Sequence, residues 1–352
     1  MTQARPQGPP RTPRPPQRPP QTRGPLRRIR RALSIIVVLL LAYAAFLAYT
    51  PWHAWSGVTR EVSAPDGERP ADSSGHTYLL VGSDSREGMS AEEQKRLGTG
   101  SDAGRRTDSI MLVHVPSGGG KSAIISIPRD SYVPIPGHGS NKINAAFSIG
   151  GPQLLVETLE QVTDLRIDGY LEIGFAGFAN LVDSMGGVQI CVPFDMDDPK
   201  AHINLKKGCQ VLDGPNALGF VRARYSDPRG DIGRAARQRQ FLAAIMKQAA
   251  TPSTVLVPTT WWSTTHSAVD GLVVGEDTSV IDAGRVALAM RGVSKDTTLS
   301  LVVPLSSTNF QTPAGSSVKW DTERAKELFR MLREGEDLTK APDGTDGVPT
   351  GG

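Results

Sequence analysis

The sequence has few of the residues from which metal and nucleophile sites are usually built. It holds two cysteines and six scattered histidines, and neither type forms a ligand-spaced pair. It contains no GxSxG nucleophile elbow. The glycines at 118–120 are not followed by the GK[ST] of a phosphate-binding loop. These absences argue against a zinc protein, an α/β-hydrolase and a P-loop nucleotide-binding protein.

Acidic residues are absent from residues 1–31, which contain nine arginines and nine prolines. The rest of the chain is therefore net negative, although the whole chain carries +3. A segment of this composition cannot bury a core, so we expect residues 1–31 to be a disordered tail. Basic arms can bind nucleic acid, but the topology predicted below makes this a solvated cytoplasmic tail, and no nucleic-acid partner is expected.

One apolar run is long enough to cross a membrane. No charged residue occurs from Ala32 to Tyr49, and Trp52 and Trp55 follow, where interfacial aromatics are common. Arginines directly precede the run, so the positive-inside rule keeps the N-terminus in the cytoplasm. A cleaved signal peptide is the alternative, but the run is long and AYTPW is a poor cleavage site. We predict a transmembrane helix at 32–51 in the cell membrane, with everything after it extracellular.

The remaining chain alternates predicted strands and helices. We expect a linker at 52–76, one extracytoplasmic domain at 77–336 and a disordered tail at 337–352. The alternation predicts an α/β fold with three α/β/α layers around a central sheet. The short turn at 116–120 requires an antiparallel strand pair, so the sheet should be mixed.

Acidic and arginine residues lie at the ends of the first three predicted strands, at 78–81, 109–115 and 122–127. Because the second and third strands form a tight hairpin, the start of one and the end of the other share an edge. The first strand reaches that edge if it pairs antiparallel with the second. The residues expected there are Asp84, Arg86, Arg106, Asp108, Arg129 and Asp130.

A second basic group lies in VRARY and GDIGRAARQRQ. Arg222 and Arg224 are two apart in a strand predicted at 220–224, so they should share a face. Arg234 and Gln238 are four apart in a helix predicted at 232–250 with Asp231 as its N-cap, and Arg237 lies beside them. An arginine in the first helical turn is favourable when an anion binds there. Arginine also recognises phosphate oxygens through paired hydrogen bonds.

Two further features have more than one interpretation. The apolar stripe Phe175, Phe178, Leu181 and Val182 on a predicted helix is either ordinary core or part of a lipid slot. Cys191 and Cys209 either form a disulfide, which could contribute about 3 kcal/mol, or remain buried thiols.

A series of collinear motifs resembles the LytR-CpsA-Psr family of cell-wall enzymes. The motifs are GSDSR, RRTDSIMLVHV, ISIPRDSYVPIPG, KINAAF, GGP, GYLEIGFAGFANLVDSMGGV, LDGPNAL, VRARY and GDIGRAARQRQ. They cover about half of the chain, roughly 77–248. The Pro/Arg-rich tail and a Cys191–Cys209 bond are similar to those of an actinobacterial, Streptomyces-type member.

The resemblance implies an Mg²⁺-dependent (or Mn²⁺-dependent) phosphotransferase outside the membrane. Such enzymes move a glycopolymer, teichoic-acid-like or capsular, from a polyprenyl-pyrophosphate carrier to peptidoglycan through a phosphodiester bond. Pyrophosphatase activity is a compatible side reaction. The family's lipid tail lies in an apolar tunnel, which favours the lipid-slot interpretation.

The family's roles transfer to this sequence by motif. Asp84 and Asp108 resemble the metal-binding carboxylates and, with Arg129 and Arg234, the catalytic set. The residues that resemble the pyrophosphate-binding set are Arg86, Arg106, Arg129, Lys142, Arg222, Arg224, Arg234, Arg237 and Gln238. The alternative functions are a non-catalytic membrane-anchored binder of lipid-linked polymer and a regulator of wall assembly.

Overall fold

The computed structural model describes residues 25–84, 89–99, 107–223, 230–293 and 295–349. Within these ranges the side chains of 25–27, 108, 230–232, 234–236 and 239 are not described. The chain divides into two compact units, residues 1–46 and 47–352. The predicted tail at 1–31 lies largely outside the described residues.

The described helices are α1 Pro25–Trp55, α2 Ala91–Arg96, α3 Ile143–Thr163, α4 Phe175–Ser184, α5 Gly214–Arg222, α6 Gly230–Ala249, α7 Pro252–Val255, α8 Pro258–Asp270, α9 Val280–Val293 and α10 Thr322–Glu334. Residues 28–55 of α1 are long and apolar enough to cross a membrane. The segment expected to be the anchor is therefore helical, and the helix is longer at both ends than the predicted 32–51.

The described strands are β1 Thr59–Glu61, β2 Gly75–Ser83, β3 Thr107–Pro116, β4 Ser122–Ile127, β5 Tyr132–Ile135, β6 Gly139–Lys142, β7 Gly169–Gly174, β8 Val188–Val192, β9 Met196–Asp198, β10 Ile203–Leu205, β11 Gly208–Leu212, β12 Leu272–Gly275, β13 Thr298–Val302, β14 Leu305–Thr312 and β15 Gly315–Trp320.

Seven of these strands form one mixed sheet, in the order β1-β12-β7-β2-β3-β4-β13. β3 pairs antiparallel with both β2 and β4, while β2 pairs parallel with β7, and β4 with β13. The remaining strands form four two-stranded antiparallel sheets, and three of these are hairpins of consecutive strands. The mixed sheet is confirmed. The antiparallel pairing of β2 with β3 meets the condition under which the first strand was expected to reach the edge shared by the hairpin.

Successive residues of the central strands point into two different cores, as the two-residue period of a strand requires. Leu79 and Leu112 belong to a core completed by α3 and α10. Tyr78 and Val113 belong to a core completed by α8, α9 and the end of α1. Helices therefore cover both faces of the sheet, which confirms the three-layer α/β/α fold.

A third buried cluster lies beside the sheet, around α4, α5, α6 and the strand pairs β8–β11 and β9–β10. Cys191 and Cys209 are directly opposite each other in β8 and β11 and form a disulfide. Of the two interpretations of the cysteines, the disulfide is therefore the correct one.

The segment predicted as a linker at 52–76 is instead largely folded. Trp55 and Val58 are buried, and β1 joins the edge of the sheet beside β12. Arg69 pairs with the buried carboxylate of Glu160 and donates to the carbonyl of Ile167. The prediction was wrong because polar composition does not reveal contacts with distant residues.

The tail predicted at 337–352 is also folded over most of its length. Leu338 is buried in the core beside α10. The backbone N–H of Val302 donates to the carbonyl of Thr345 at 2.8 Å, so the segment continues along the end of β13. Residues 350–352 lie outside the described part of the chain.

The strand predicted at 220–224 is wrong, because Arg222 is the last residue of helix α5. Asp213 caps this helix by accepting a hydrogen bond from the N–H of Asn216, and a proline lies in its first turn. These N-terminal signals outweigh the β-forming residues that follow. Asp231 is not an N-cap, since its backbone lies within helix α6, Gly230–Ala249.

Candidate functional site

Four strands of the central sheet have one terminus at the same edge, the edge that runs across the strand ends. Ser83, at the end of β2, is opposite Thr107 at the start of β3 and Gly174 at the end of β7. Since β4 runs antiparallel to β3, its end reaches the same edge, and Arg129 follows two residues later. The registers thus bring together the segments that the hairpin argument predicted.

Asp108 occupies an irregularity in the pairing of β2 with β3. Thr107 is opposite Ser83 and Ser109 is opposite Gly82, so Asp108 is an additional residue in β3. Bulges of this kind commonly occur beside active sites, where they redirect a side chain. The side chain of Asp108 is outside the described residues, so its metal role stays a prediction.

Residues with oxygen-bearing side chains lie next to this irregularity. Asp84 directly follows β2 and is half-buried. The hydroxyl oxygen of Thr107 is buried and has no hydrogen-bond partner among the described residues. Those residues contain no group of three or more His, Cys, Asp or Glu side chains suited to a metal. Mg²⁺ needs only one or two carboxylates when water and phosphate oxygens complete its shell, so Asp84 and Asp108 fit that ion.

Arg129 belongs to a compact charged group with Asp130 and Lys142. Its Nε atom lies 3.7 Å from the Asp130 carboxylate, and Lys142 Nζ lies 3.1 Å from the same carboxylate. The N–H of Asn144 donates to the carbonyl of Arg129 at 3.2 Å. The KIN motif therefore begins α3 beside Arg129, and Lys142 is within reach of any anion that Arg129 binds.

A hairpin from the end of the domain, β14–β15, holds this loop in place. The N–H of Val318 donates to the carbonyl of Asp130 at 2.8 Å. The indole Nε1 of Trp320 donates to the hydroxyl of Ser131 at 2.9 Å. The sequence offered no signal for this support, because the partners are almost 190 residues apart.

An apolar cavity that is partly open to solvent adjoins the edge. Its walls come from β2, β3, β7, α4, α5 and α6. The lining residues are Leu80, Val81, Gly82, Ser83, Ser109, Met111, Ile173, Gly174, Phe175, Phe178, Leu218, Val221, Arg222, Gln238, Phe241 and Leu242. An apolar wall with a few polar groups is the usual composition of a ligand pocket.

The polar groups of the cavity include two predicted anion-binding residues, Arg222 and Gln238. The guanidinium carbon of Arg222 lies 4.7 Å from the ring centre of Phe175, a cation–π contact. Gln238 and Phe241 are three apart on α6, so the same helix face supplies both an amide and an apolar wall. That spacing was a signal for Phe241, which the sequence argument missed.

The predicted lipid stripe is divided between the cavity and the interior. Phe175 and Phe178 line the cavity, and Phe178 stacks on Phe241 with ring centres 4.6 Å apart. Val182 is fully buried in the third cluster, and Leu181 packs against that cluster. Neither of the last two is a lining residue.

Arg237 is buried, with 1% of its surface exposed. It donates from Nε to the carbonyl of Phe220 at 3.1 Å and from a terminal nitrogen to the carbonyl of Ala223. These carbonyls belong to the end of α5, the helix that ends at Arg222. Arg237 therefore holds the segment that carries Arg222.

Several predicted site residues are not described. Arg86, Arg106 and Arg224 lie outside the described residues. The backbone of Arg234 lies in the second turn of α6, but its side chain is not described. Their roles stay predictions.

Comparisons with known proteins agree with this architecture. The model of the LytR_cpsA_psr family matches residues 56–272. The chain is 43% identical over 312 residues to the probable cell wall biosynthesis protein LcpB of Corynebacterium glutamicum, covering 88% of this chain and 72% of LcpB. It is 36% identical over 235 residues to the polyisoprenyl-teichoic acid–peptidoglycan teichoic acid transferase TagU of Bacillus cereus, covering 63% of this chain and 71% of TagU.

The fold is also similar to a solved structure, the LytR-Csp2A-Psr enzyme from Actinomyces oris. The TM-score is 0.60 at 21% identity, and the alignment covers 79% of this chain and 96% of that one. At this identity the likeness concerns the fold alone.

Proposed function

The chain belongs to the LytR-CpsA-Psr family, and from this membership and its cavity we propose that it is a phosphotransferase of cell-wall assembly. It transfers a glycopolymer from a polyprenyl-pyrophosphate carrier to peptidoglycan. The relatives support this reaction, since one is named a cell wall biosynthesis protein and another a teichoic acid transferase. The transferred polymer is a teichoic acid or another anionic or capsular polymer.

The observation that carries the proposal is the distribution of apolar and polar groups in the cavity. Its interior is apolar, while Arg222 and Gln238 lie in the wall and the acid-rich sheet edge adjoins it. A polyprenyl pyrophosphate has the same division, with a long apolar tail attached to two phosphates. The tail fits against Phe175 and Phe178, and the pyrophosphate then lies at the edge near Arg222.

Arginine suits this position for two reasons. Its planar guanidinium donates paired hydrogen bonds to phosphate oxygens while its face stacks on an aromatic ring, as Arg222 does on Phe175. Arg129 and Lys142 add positive charge at the same edge, and the β14–β15 hairpin holds their loop. Fixed positive groups stabilise the charge that develops on a transferring phosphoryl group.

Asp84 and Asp108 are the residues that would hold an Mg²⁺ (or Mn²⁺) ion. When bound, such an ion neutralises charge on the pyrophosphate oxygens. In the reaction the acceptor hydroxyl forms a bond to the phosphorus that carries the glycopolymer, and the bond from that phosphorus to the bridging oxygen breaks. Polyprenyl phosphate leaves, and the hydroxyl proton is released. Water in place of the hydroxyl accounts for a pyrophosphatase side reaction.

We also propose that α1 anchors the chain with the domain outside the cell. The arginines before the apolar run support this orientation by the positive-inside rule. The Cys191–Cys209 disulfide supports it independently, because such bonds persist in oxidising compartments. The donor lipid and the wall acceptor are then on the same side as the site.

A reconstituted transfer reaction tests the function. Full-length protein in lipid nanodiscs is incubated with a polyprenyl-pyrophosphate-linked oligosaccharide, peptidoglycan fragments and Mg²⁺. We expect released polyprenyl phosphate and a new phosphodiester on the peptidoglycan. Release without the phosphodiester would reduce the activity to a pyrophosphatase. Tight donor binding without release would establish the non-catalytic binder instead.

Matched variants locate the site within that assay. Arg129→Ala and Arg222→Ala should each lower transfer by roughly 10–100-fold or more. Arg324→Ala, which removes an exposed arginine beside Asp321 on α10, is the control and should retain full activity. Full activity in both site variants would show that the pocket is elsewhere.

A further inference from the structure

The surface around the start of α8 is apolar, although no other described residues cover it. Leu256, Val257 and Trp262 are exposed there, and Leu256 keeps 65% of its surface. Residues 248–269 contain no Asp, Glu, Lys or Arg, although charged residues make up 21% of the chain. A helix that faces water normally carries charges on its outer side.

The last turns of α1 contribute to the same surface. The ring of His53 lies 5.6 Å from Trp262 and 5.7 Å from His266, and Trp262 stacks on His266 at 4.1 Å. Tyr49 lies 5.5 Å from His53. Tyr49 and Trp52 are both exposed. We call the set Tyr49, Trp52, Leu256, Val257 and Trp262 the juxtamembrane patch.

The contact with α1 lies in the first part of α8. The ring of His53 lies near both Trp262 and His266, and α8 begins at Pro258. Leu256 and Val257 directly precede α8, so they lie at the end of the helix that carries Trp262.

Chain continuity identifies what covers the patch. The exposed apolar run Leu33–Leu41 of α1 ends only eight residues before Tyr49. Tyrosine and tryptophan collect at the boundary between lipid tails and headgroups. We propose that the juxtamembrane patch inserts into the outer surface of the bilayer, as a second membrane contact beside the anchor helix.

The proposed membrane contact is connected to the cavity through the packing of Gly271, next to α8, on α4. α8 is followed by Gly271, which packs so closely on Gly177 of α4 that a Cβ atom on Gly177 would collide with it. α4 also carries Phe175 and Phe178, which line the cavity. A bilayer that holds α8 therefore also sets the orientation of the cavity relative to the membrane.

Single nitroxide labels test the proposal. The native cysteines are both in the disulfide, so an introduced cysteine is the only free thiol. Leu256→Cys and Val257→Cys place labels on the patch. Val348→Cys is the control, since Val348 is also exposed but follows Gly347, which packs against Val302 of β13, at the opposite edge of the sheet from β1.

The full-length labelled proteins are placed in phosphatidylethanolamine–phosphatidylglycerol nanodiscs. Oxygen concentrates in lipid, whereas a nickel chelate stays in water. Both reagents accelerate the relaxation of a nitroxide label, so the ratio of the two effects shows whether the label lies in lipid or in water. We expect the oxygen-to-nickel ratio at 256 and 257 to exceed that at 348 by about threefold or more. Equal ratios at the three positions would overturn the proposal. Protection of 256 and 257 from both reagents would also overturn it, because a protein partner or a second copy would then cover the patch.

Discussion

Replacing Arg237 with methionine should lower the free energy of unfolding, because Arg237 contacts the end of α5. Methionine keeps much of the side-chain volume but leaves the buried carbonyls of Phe220 and Ala223 without the guanidinium. Each unsatisfied buried acceptor costs about 1–3 kcal/mol, so we expect a loss of about 4 kcal/mol. In a domain of this size that corresponds to a fall in Tm of roughly 8 °C.

Thermal unfolding of the full-length protein in detergent, followed by circular dichroism, measures this change. The matched control is Arg222→Met. It loses a cation–π contact worth about 0.5–2 kcal/mol, so its Tm should fall by no more than roughly 4 °C. Its turnover should fall by roughly 10–100-fold, because the guanidinium no longer reaches the pyrophosphate.

The opposite pattern would refute the reasoning. If Arg237→Met kept its Tm and lost turnover, the guanidinium would be bound to substrate in the working enzyme rather than to the end of α5. Arg237→Lys refines the test, since lysine keeps the charge but not the fork that spans two carbonyls. It should remain clearly less stable than the wild type.

Three other predictions concern separate features. Replacing both Cys191 and Cys209 with alanine should lower the free energy of unfolding by about 3 kcal/mol, because the bond closes a loop with a sequence separation of 18. The Tm of the wild type with and without reductant, beside that of the variant, measures this loss. An unchanged Tm would show that the bond does not stabilise the fold. Leu242→Trp should narrow the cavity and reduce transfer from long-chain donors while sparing short-chain ones; equal losses with both would argue against a tail site there. Burial, with a smaller contribution from His76, lowers the pKa of His114 to about 4, below its ordinary 6.5. The unfolded chain therefore takes up this proton first, and stability should fall by about 3 kcal/mol as pH drops from 6.5 to 4. In urea titrations His114→Gln should show a flatter pH dependence, and a slope equal to that of the wild type would contradict this assignment.

Elements with strong local signals were predictable from the sequence. The sequence pattern predicts a strand at 122–127 and a helix at 322–334, and β4 and α10 have these bounds. The hairpin between β3 and β4 follows from its short turn, and it leads directly to the meeting of Asp108 and Arg129 at one edge. Local periodicity and turn chemistry act within a few residues, so they can be read without a structure.

The region 213–224 shows where that reasoning fails. Its second half resembles a strand, yet Asp213 and the following proline start a helix that continues to Arg222. Gly219 in this helix packs so closely on Ile203 that a Cβ atom there would collide with it. Packing against the β9–β10 hairpin therefore adds to the signals at the N-terminus of α5, and the residues around 222 show neither.

The sequence by itself determined the apolar N-terminal helix, the alternating α/β architecture, the family and the strand ends that meet beside Arg129. Each depends on order along the chain, through hydrophobic runs, strand period or motif spacing. Only the tertiary structure decided that an apolar cavity opens beside those strand ends, that Arg237 supports α5, and that β14–β15 holds the Arg129 loop. Each of these depends on which distant surfaces pack together, because a cavity or a buried hydrogen bond exists only after separate elements have come into contact.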